Sequence, residues 1–161
     1  MDAAKRKELI DTYKDGYRMV AEALAGAPDE ELDTAPAPGK WTAREIVHHL
    51  ADSEMTSAIR LRLLVATPNP QILGYDQEVF AKSLYYKDRP IEASLDAFNA
   101  ARRSTAEILE RLTEVEWLRE GTHSEMGRYT IERWLEIYAG HAHGHATQIK
   151  VARDAARKAK I

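Results

Sequence analysis

The stretch Tyr138-Ala139-Gly140-His141-Ala142-His143-Gly144-His145-Ala146-Thr147-Gln148-Ile149 holds three of the six histidines in the chain. Read as a helix of about 3.6 residues per turn, it places His141 and His145, at i and i+4, on one face about one turn apart. One helix can supply two metal ligands in this way, and such a half-site needs at least one more ligand from elsewhere. His143, two residues from His141, points to roughly the other side of the cylinder. Ile131, Leu135, Tyr138, Ala142 and Ile149 carry the same period outward. The spacing therefore predicts a helix capped by Thr130 and running to about Lys158, with His145 in its apolar stripe and His141 at the edge. The basic run from Arg153 to Lys160 suits a helix C-terminus and is expected to fray into solvent.

Three more amphipathic stripes precede this one. Leu9, Tyr13, Tyr17, Val20 and Leu24 mark a helix over about Asp2 to Ala25, stopped at Gly26-Ala27-Pro28. Asp29 to Lys40 is a breaker-rich connection. Thr42-Ala43-Arg44-Glu45 is a capping box that starts a second helix running to about Ala66, with Ile46, Val47, Leu50, Leu61 and Leu64 on its apolar face. His49 falls about 60° from the Ile46 line and can look into a bundle, whereas His48 falls well round toward water. Gln71 to Pro90 is a long connection, of the kind that often carries function, with one short helix from Asp76 to Leu84. Ile91, Leu95, Phe98, Thr105, Leu109 and Leu112 form the third long stripe, over Ile91 to about Glu116. Arg102 lies within it and must snorkel, pair with a buried carboxylate or await an anion. Trp117 to Tyr129 reads as a polar connection containing His123. The expected fold is all-α, a four-helix bundle in which His49, His141 and His145 all lean inward.

Length and composition bound the function. A chain of 161 residues is the size of one domain, here taken as residues 1–161, with a net charge of -3 and 30% charged residues. That balance gives no reason to expect nucleic acid or anionic lipid as a partner. The absence of cysteine excludes disulfides, thiolate ligands and a cysteine nucleophile. No signal peptide and no membrane-spanning run is visible, so a soluble, cytoplasmic protein is expected.

A lone inward histidine is usually a hydrogen-bonded core residue, but two at i and i+4 are costly to bury unless their nitrogens are occupied. The pair lacks the intervening glutamate of the zinc-protease motif, so that chemistry is not indicated. Three imidazoles suit zinc, nickel, iron or a similar divalent ion and leave coordination positions open. Such an ion could activate water for hydrolysis or a thiolate brought by a cosubstrate. Gln148, one turn beyond His145, and Glu45, one turn before His49, are candidates to orient the ligands, against the plainer reading of a solvated face.

The segment Trp41-Thr42-Ala43-Arg44-Glu45-Ile46-Val47-His48-His49-Leu50-Ala51-Asp52-Ser53 resembles the opening motif of the DinB-like proteins, and the stretch with His141 and His145 resembles their second motif. Gly74-Tyr75-Asp76-Gln77 and His123-Ser124-Glu125-Met126-Gly127 resemble further motifs of the YfiT-like branch. The resemblance covers about Trp41 to Ile149. It implies a four-helix bundle with a crossover connection, a metal held by His49, His141 and His145, zinc or nickel as the ion, and a homodimer. Members are described as metal-dependent hydrolases or as transferases of low-molecular-weight thiols. Gly144, Gln148 and Glu54 stand where relatives often carry histidine, and Ser124 where proline is usual, so the surroundings of the site differ.

The reading is thus a one-metal protein acting on a small molecule, by hydrolysis through metal-bound water or by thiol transfer. The alternative from another class is a non-catalytic scaffold bundle with a structural metal or none. Tyr75, Asp76, His123 and Arg102 are pocket candidates, the first three because long connections often shape such sites.

Overall fold

The structure, a computed structural model, describes residues 1–159. The chain runs α1 (Ala3–Leu24), α2 (Asp29–Leu32), α3 (Ala43–Ala66), β1 (Gln71–Ile72), α4 (Gln77–Ser83), α5 (Glu92–Leu109), α6 (Glu114–Trp117), β2 (Glu120–His123), β3 (Gly127–Thr130), α7 (Ile131–Ala139) and α8 (His141–Lys158). Helices α1, α3, α5 and the α7–α8 pair form the four-helix bundle. Both α1 and α3 pack on α5 and on α7–α8, which sets α1 and α3 on one diagonal. No helix among the described residues is long and apolar enough to cross a membrane.

Local chemistry explains the helix ends. The Thr42 hydroxyl accepts from the Glu45 amide at 3.2 Å and the Glu45 carboxylate accepts from the Thr42 amide at 2.8 Å, the reciprocal box expected from the sequence. Thr130 caps α7 through the Arg133 amide at 3.0 Å. The third helix stops earlier than its stripe predicts, because a second capping box on Thr113 and Glu116 starts the separate turn α6.

Three expectations are corrected. The polar connection before the last helix is not structureless: β2 and β3 form an antiparallel hairpin turning at Gly127, which has a φ of 69°. β1 joins in parallel, pairing Ile72 with His123, so the long connection is tied to this hairpin. The rest of the fold is helical, the four-helix bundle expected. The second correction is His48, fully buried rather than turned to water: its ring lies 2.8 Å from the Ser94 hydroxyl and 3.1 Å from the Arg89 carbonyl oxygen. The segment preceding α5 closes over that side of α3, which a reading of apolar residues alone cannot anticipate. Third, the basic end does not fray where expected. Arg153 is buried, pairing with Glu31 of α2 at 2.8 Å, and Arg157 joins the same carboxylate at 2.9 Å. Lys160, the last member of that run, lies outside the described residues.

Two apolar clusters make the core. One gathers Tyr13, Leu61, Leu109, Trp134 and Leu135, and the other Val20, Val47, Leu50, Phe98 and Ile149. Between them lies an ionic layer. Arg102, 1% exposed, pairs with Glu54 at 2.5 Å, and Glu54 also accepts from the Tyr13 hydroxyl. The guanidinium stacks on the Tyr13 ring at 3.9 Å and donates to the Tyr13 and Tyr138 carbonyl oxygens. Of the readings open for Arg102, pairing with a buried carboxylate is the one observed.

Gly16, one turn beyond Tyr13, also brings α1 close to this layer. A Cβ there would lie 2.7 Å from Ala142 Cβ and 2.8 Å from Arg102 Nη2. Alanine gains about 1 kcal/mol of helix propensity over glycine but incurs about 1–3 kcal/mol of overpacking. Gly16→Ala is therefore expected to lower stability by up to about 2 kcal/mol in urea unfolding, and a gain would contradict the close approach.

Candidate metal centre

His49 projects from the second turn of α3. His141 is the first residue of α8, immediately after Gly140 breaks the helical run that the sequence suggests is continuous, and His145 follows one turn later. The three rings converge. Their centroids are 4.5 Å apart for His141–His145, 4.8 Å for His49–His145 and 5.5 Å for His49–His141. His141 Nε2 and His145 Nε2 are 3.2 Å apart, and one ligand atom from each of the three residues can be chosen so that all lie within 4.8 Å of one another.

The donor set fits a divalent ion. Burial pushes the pKa of His49 and of His141 down to about 3, with the neighbouring imidazoles adding to the effect, and burial lowers His145 too. Neutral imidazole is the form a metal binds. His49 Nδ1 is buried without a hydrogen-bond partner among the described residues. Gln148 Oε1 accepts from His145 Nδ1 at 2.8 Å, which leaves the Nε2 lone pair aimed at His141.

These depressed values carry a stability consequence. An unfolded chain takes up protons on histidine near the ordinary value of 6.5, whereas the folded His49 and His141 resist until about pH 3. The unfolded state then binds more protons, so metal-free protein is expected to lose stability as pH falls from 6.5 toward 3. The slope is about 1.4 kcal/mol per pH unit for each imidazole once it is fully protonated in the unfolded state. Urea midpoints across that range, compared with those of the H49Q/H141Q double variant, isolate this contribution; equal slopes would exclude it.

The other predicted residues are distributed unevenly. Gln148 touches the triad. Glu45 does not, because its carboxylate is used by its own helix cap, which corrects the expectation that it orients His49. Asp76 caps α4 through the Glu78 and Val79 amides. Tyr75 stacks on Phe80 at 4.4 Å, and its hydroxyl interacts with Ser53, one turn beyond His49. Arg102 belongs to the ionic layer and His123 to β2, so neither contacts the three histidines. His143 faces α1, 3.4 Å from Asp15, as its position outside the stripe requires.

The sequence reading missed what shapes the entrance. A cavity of about 650 Å³ opens beside His145, lined also by Trp41, Ile46, Glu78, Gln148 and Val151. Trp41 packs against His49 at 4.8 Å and donates from its indole to Glu78 at 3.4 Å. An indole placed immediately before a capping box was the available signal, while Glu78 comes from α4 and had none.

A family model described as the DinB superfamily matches residues 12–149. The chain belongs to the DinB superfamily. A relative from Oceanobacillus iheyensis, named "putative metal-dependent hydrolase", is 35% identical over 142 residues, covering 88% of this chain and 82% of that protein. One from Bacillus mycoides with the same description is 29% identical over 152 residues, covering 92% and 87%. Among solved structures, YfiT from Bacillus subtilis superposes with a TM-score of 0.88 at 27% identity, over 99% of this chain and 90% of that one. It is described as "a probable metal-dependent hydrolase with an unusual four-helix bundle topology". The bundle of this DinB-superfamily chain is thus shared with YfiT, and the histidine cluster lies within the region matched by the family.

Proposed function

We propose that this protein is a metal-dependent hydrolase of a small molecule, with His49, His141 and His145 as ligands of one zinc or nickel ion. The observation that carries the reading is the convergence of three neutral imidazoles from two helices beside an open cavity. The names of the relatives support it. A divalent ion in that position supplies Lewis acidity and lowers the pKa of water toward about 7.

The chain's own residues define the rest. Three protein ligands leave room for water and substrate, whereas a structural zinc is usually closed by four. Gln148 holds the His145 tautomer, and Trp41 covers His49 from solvent. Ile46 and Val151 provide an apolar wall for a substrate, and Glu78 places a carboxylate on the cavity lining. The volume suits a small molecule.

A second reading, transfer of a low-molecular-weight thiol, uses the same open coordination positions; the chain has no cysteine, so the thiolate would arrive with a cosubstrate. Metal-reconstituted protein assayed with carboxylic and phosphate esters, and with epoxide and bromoacetyl probes, separates the two. Hydrolysis without thiol, reduced at least about 100-fold in His145→Ala, is the expected result. Turnover only when a thiol is added replaces hydrolysis by transfer, and no turnover by fully loaded protein under either condition overturns both.

A further inference from the structure

Among the described residues, three buried arginines project from the bundle helices. Arg102 has Glu54 as its counter-ion and Arg153 has Glu31. Arg60 on α3, only 7% exposed, has no carboxylate within ion-pair distance among the described residues. Its Nη1 donates to the Tyr138 hydroxyl at 3.1 Å and its Nη2 to the Leu73 carbonyl oxygen at 2.5 Å, while Nε–H is buried with no acceptor. A buried cation facing only neutral acceptors is costly.

The neighbouring groups are donors as well. His123 is 2% exposed, and its Nδ1 accepts from the Glu125 amide at 3.1 Å, so the ring proton is on Nε2, which has no partner. Tyr129 is fully buried, 5.2 Å from His123 ring to ring, and its hydroxyl interacts with that of Tyr138. Burial raises the Tyr129 and Tyr138 hydroxyls above their ordinary range and lowers His123, so the hydroxyls keep their protons and the imidazole stays neutral. Two orphan donors, Arg60 Nε and His123 Nε2, accompany one positive charge that has no ion-pair partner among the described residues. A water molecule could satisfy the hydrogen bonds, but only an anion also answers the charge.

This cluster adjoins the triad. The Tyr138 ring lies 5.8 Å from that of His141, and the Tyr75 ring, 5.7 Å from the Arg60 guanidinium, belongs to the residue whose hydroxyl meets Ser53. Arg60 is about three helical turns beyond His49, and long helical side chains lean back toward the N-terminus, here toward the metal centre.

We propose that Arg60, His123, Tyr129 and Tyr138 form a buried anion subsite beside the three histidines, built to take an oxyanion such as a carboxylate or phosphate group. Where that group belongs to the substrate, the assignment rests on the hydrolytic reading above; where it is a free anion, it does not.

The test uses metal-free protein. Acetate and inorganic phosphate are titrated into the wild type, Y129F and R60Q at constant ionic strength against chloride. Binding is followed by calorimetry and by the amide and Arg Nε–H signals in ¹⁵N NMR. Expected is saturable one-to-one binding of at least one of the two anions, with a shifted Arg60 Nε–H signal, weakened tenfold or more in both variants. Neither anion saturating the wild type, or folded Y129F binding as tightly as wild type, overturns the proposal. Y129F removes a single oxygen and decides alone if R60Q fails to fold. With loaded protein, a tenfold rise in the KM of a carboxylate-bearing ester relative to a neutral ester in Y129F assigns the subsite to the substrate, and an unchanged ratio assigns it to a free anion. Because the titration needs neither metal nor turnover, its failure is distinguishable from failure of the hydrolytic reading.

Discussion

His141→Ala is expected to lower divalent metal content from about one equivalent to a small fraction, and His49→Ala to do the same. The two residues come from different helices and share only the proposed ion, so an equal loss in both is the signature of a common site. Removing groups that merely orient a ligand typically costs about 10–100-fold in affinity. Loss of a ligand itself should therefore exceed about 100-fold, and Gln148→Ala, which frees the His145 ring, should fall within the smaller range. Mass spectrometry for metal and circular dichroism for helicity are read on the same samples. Helicity should survive, because the two apolar clusters do not include His49 or His141. Full metal retention in either variant would remove that histidine from the site, and wild-type protein that binds no metal after reconstitution would leave the triad as bundle packing.

Glu54→Ala is expected to be the most damaging single substitution for stability, by about 3–5 kcal/mol in urea unfolding. The carboxylate is 1% exposed and answers both Arg102 and the Tyr13 hydroxyl. Its removal leaves a guanidinium charge in the middle of the core with only carbonyl oxygens for company, and a buried hydroxyl without its acceptor. That is a large share of the roughly 5–15 kcal/mol that stabilises a typical domain. The double variant E54M/R102M removes both charges and should recover most of the loss, since a well-packed apolar pair often replaces a buried ion pair at little cost. A loss below about 1 kcal/mol in Glu54→Ala would mean that the ionic layer is solvated.

Much of this architecture was legible in the residues. The capping box at Thr42 and Glu45, the stripes of Tyr13, Leu50, Phe98 and Leu135, and the i, i+4 spacing of His141 and His145 are local regularities, set by helical geometry and by the chemistry of an uncapped helix end. So was the inward lean of His49, which follows from its angle to Ile46. The resemblance to DinB-like proteins drew on these same positions.

What failed to show was whatever depends on residues far apart in the chain. The Glu45 expectation failed on local grounds instead, because the Thr42 cap already uses its carboxylate. His48 looked solvent-facing because nothing local says that the segment before α5 will cover it. The hairpin from Glu120 to Thr130 is short and polar, and its pairing with Ile72 comes from a strand of two residues.

The sequence by itself determined the four long helical stripes, the caps at Thr42 and Thr130 and the faces on which His49, His141 and His145 sit, because these follow from backbone periodicity and from hydrogen bonds closed within a few residues. Only the tertiary structure decided that Arg102 is neutralised by Glu54 and Arg153 by Glu31, that Arg60 has no ion-pair partner among the described residues, and that Trp41 and Glu78 line the cavity beside His145. Those outcomes depend on which charges the folded chain removes from water together, and a buried charge is stabilised or stranded by groups that no sequence spacing brings near it.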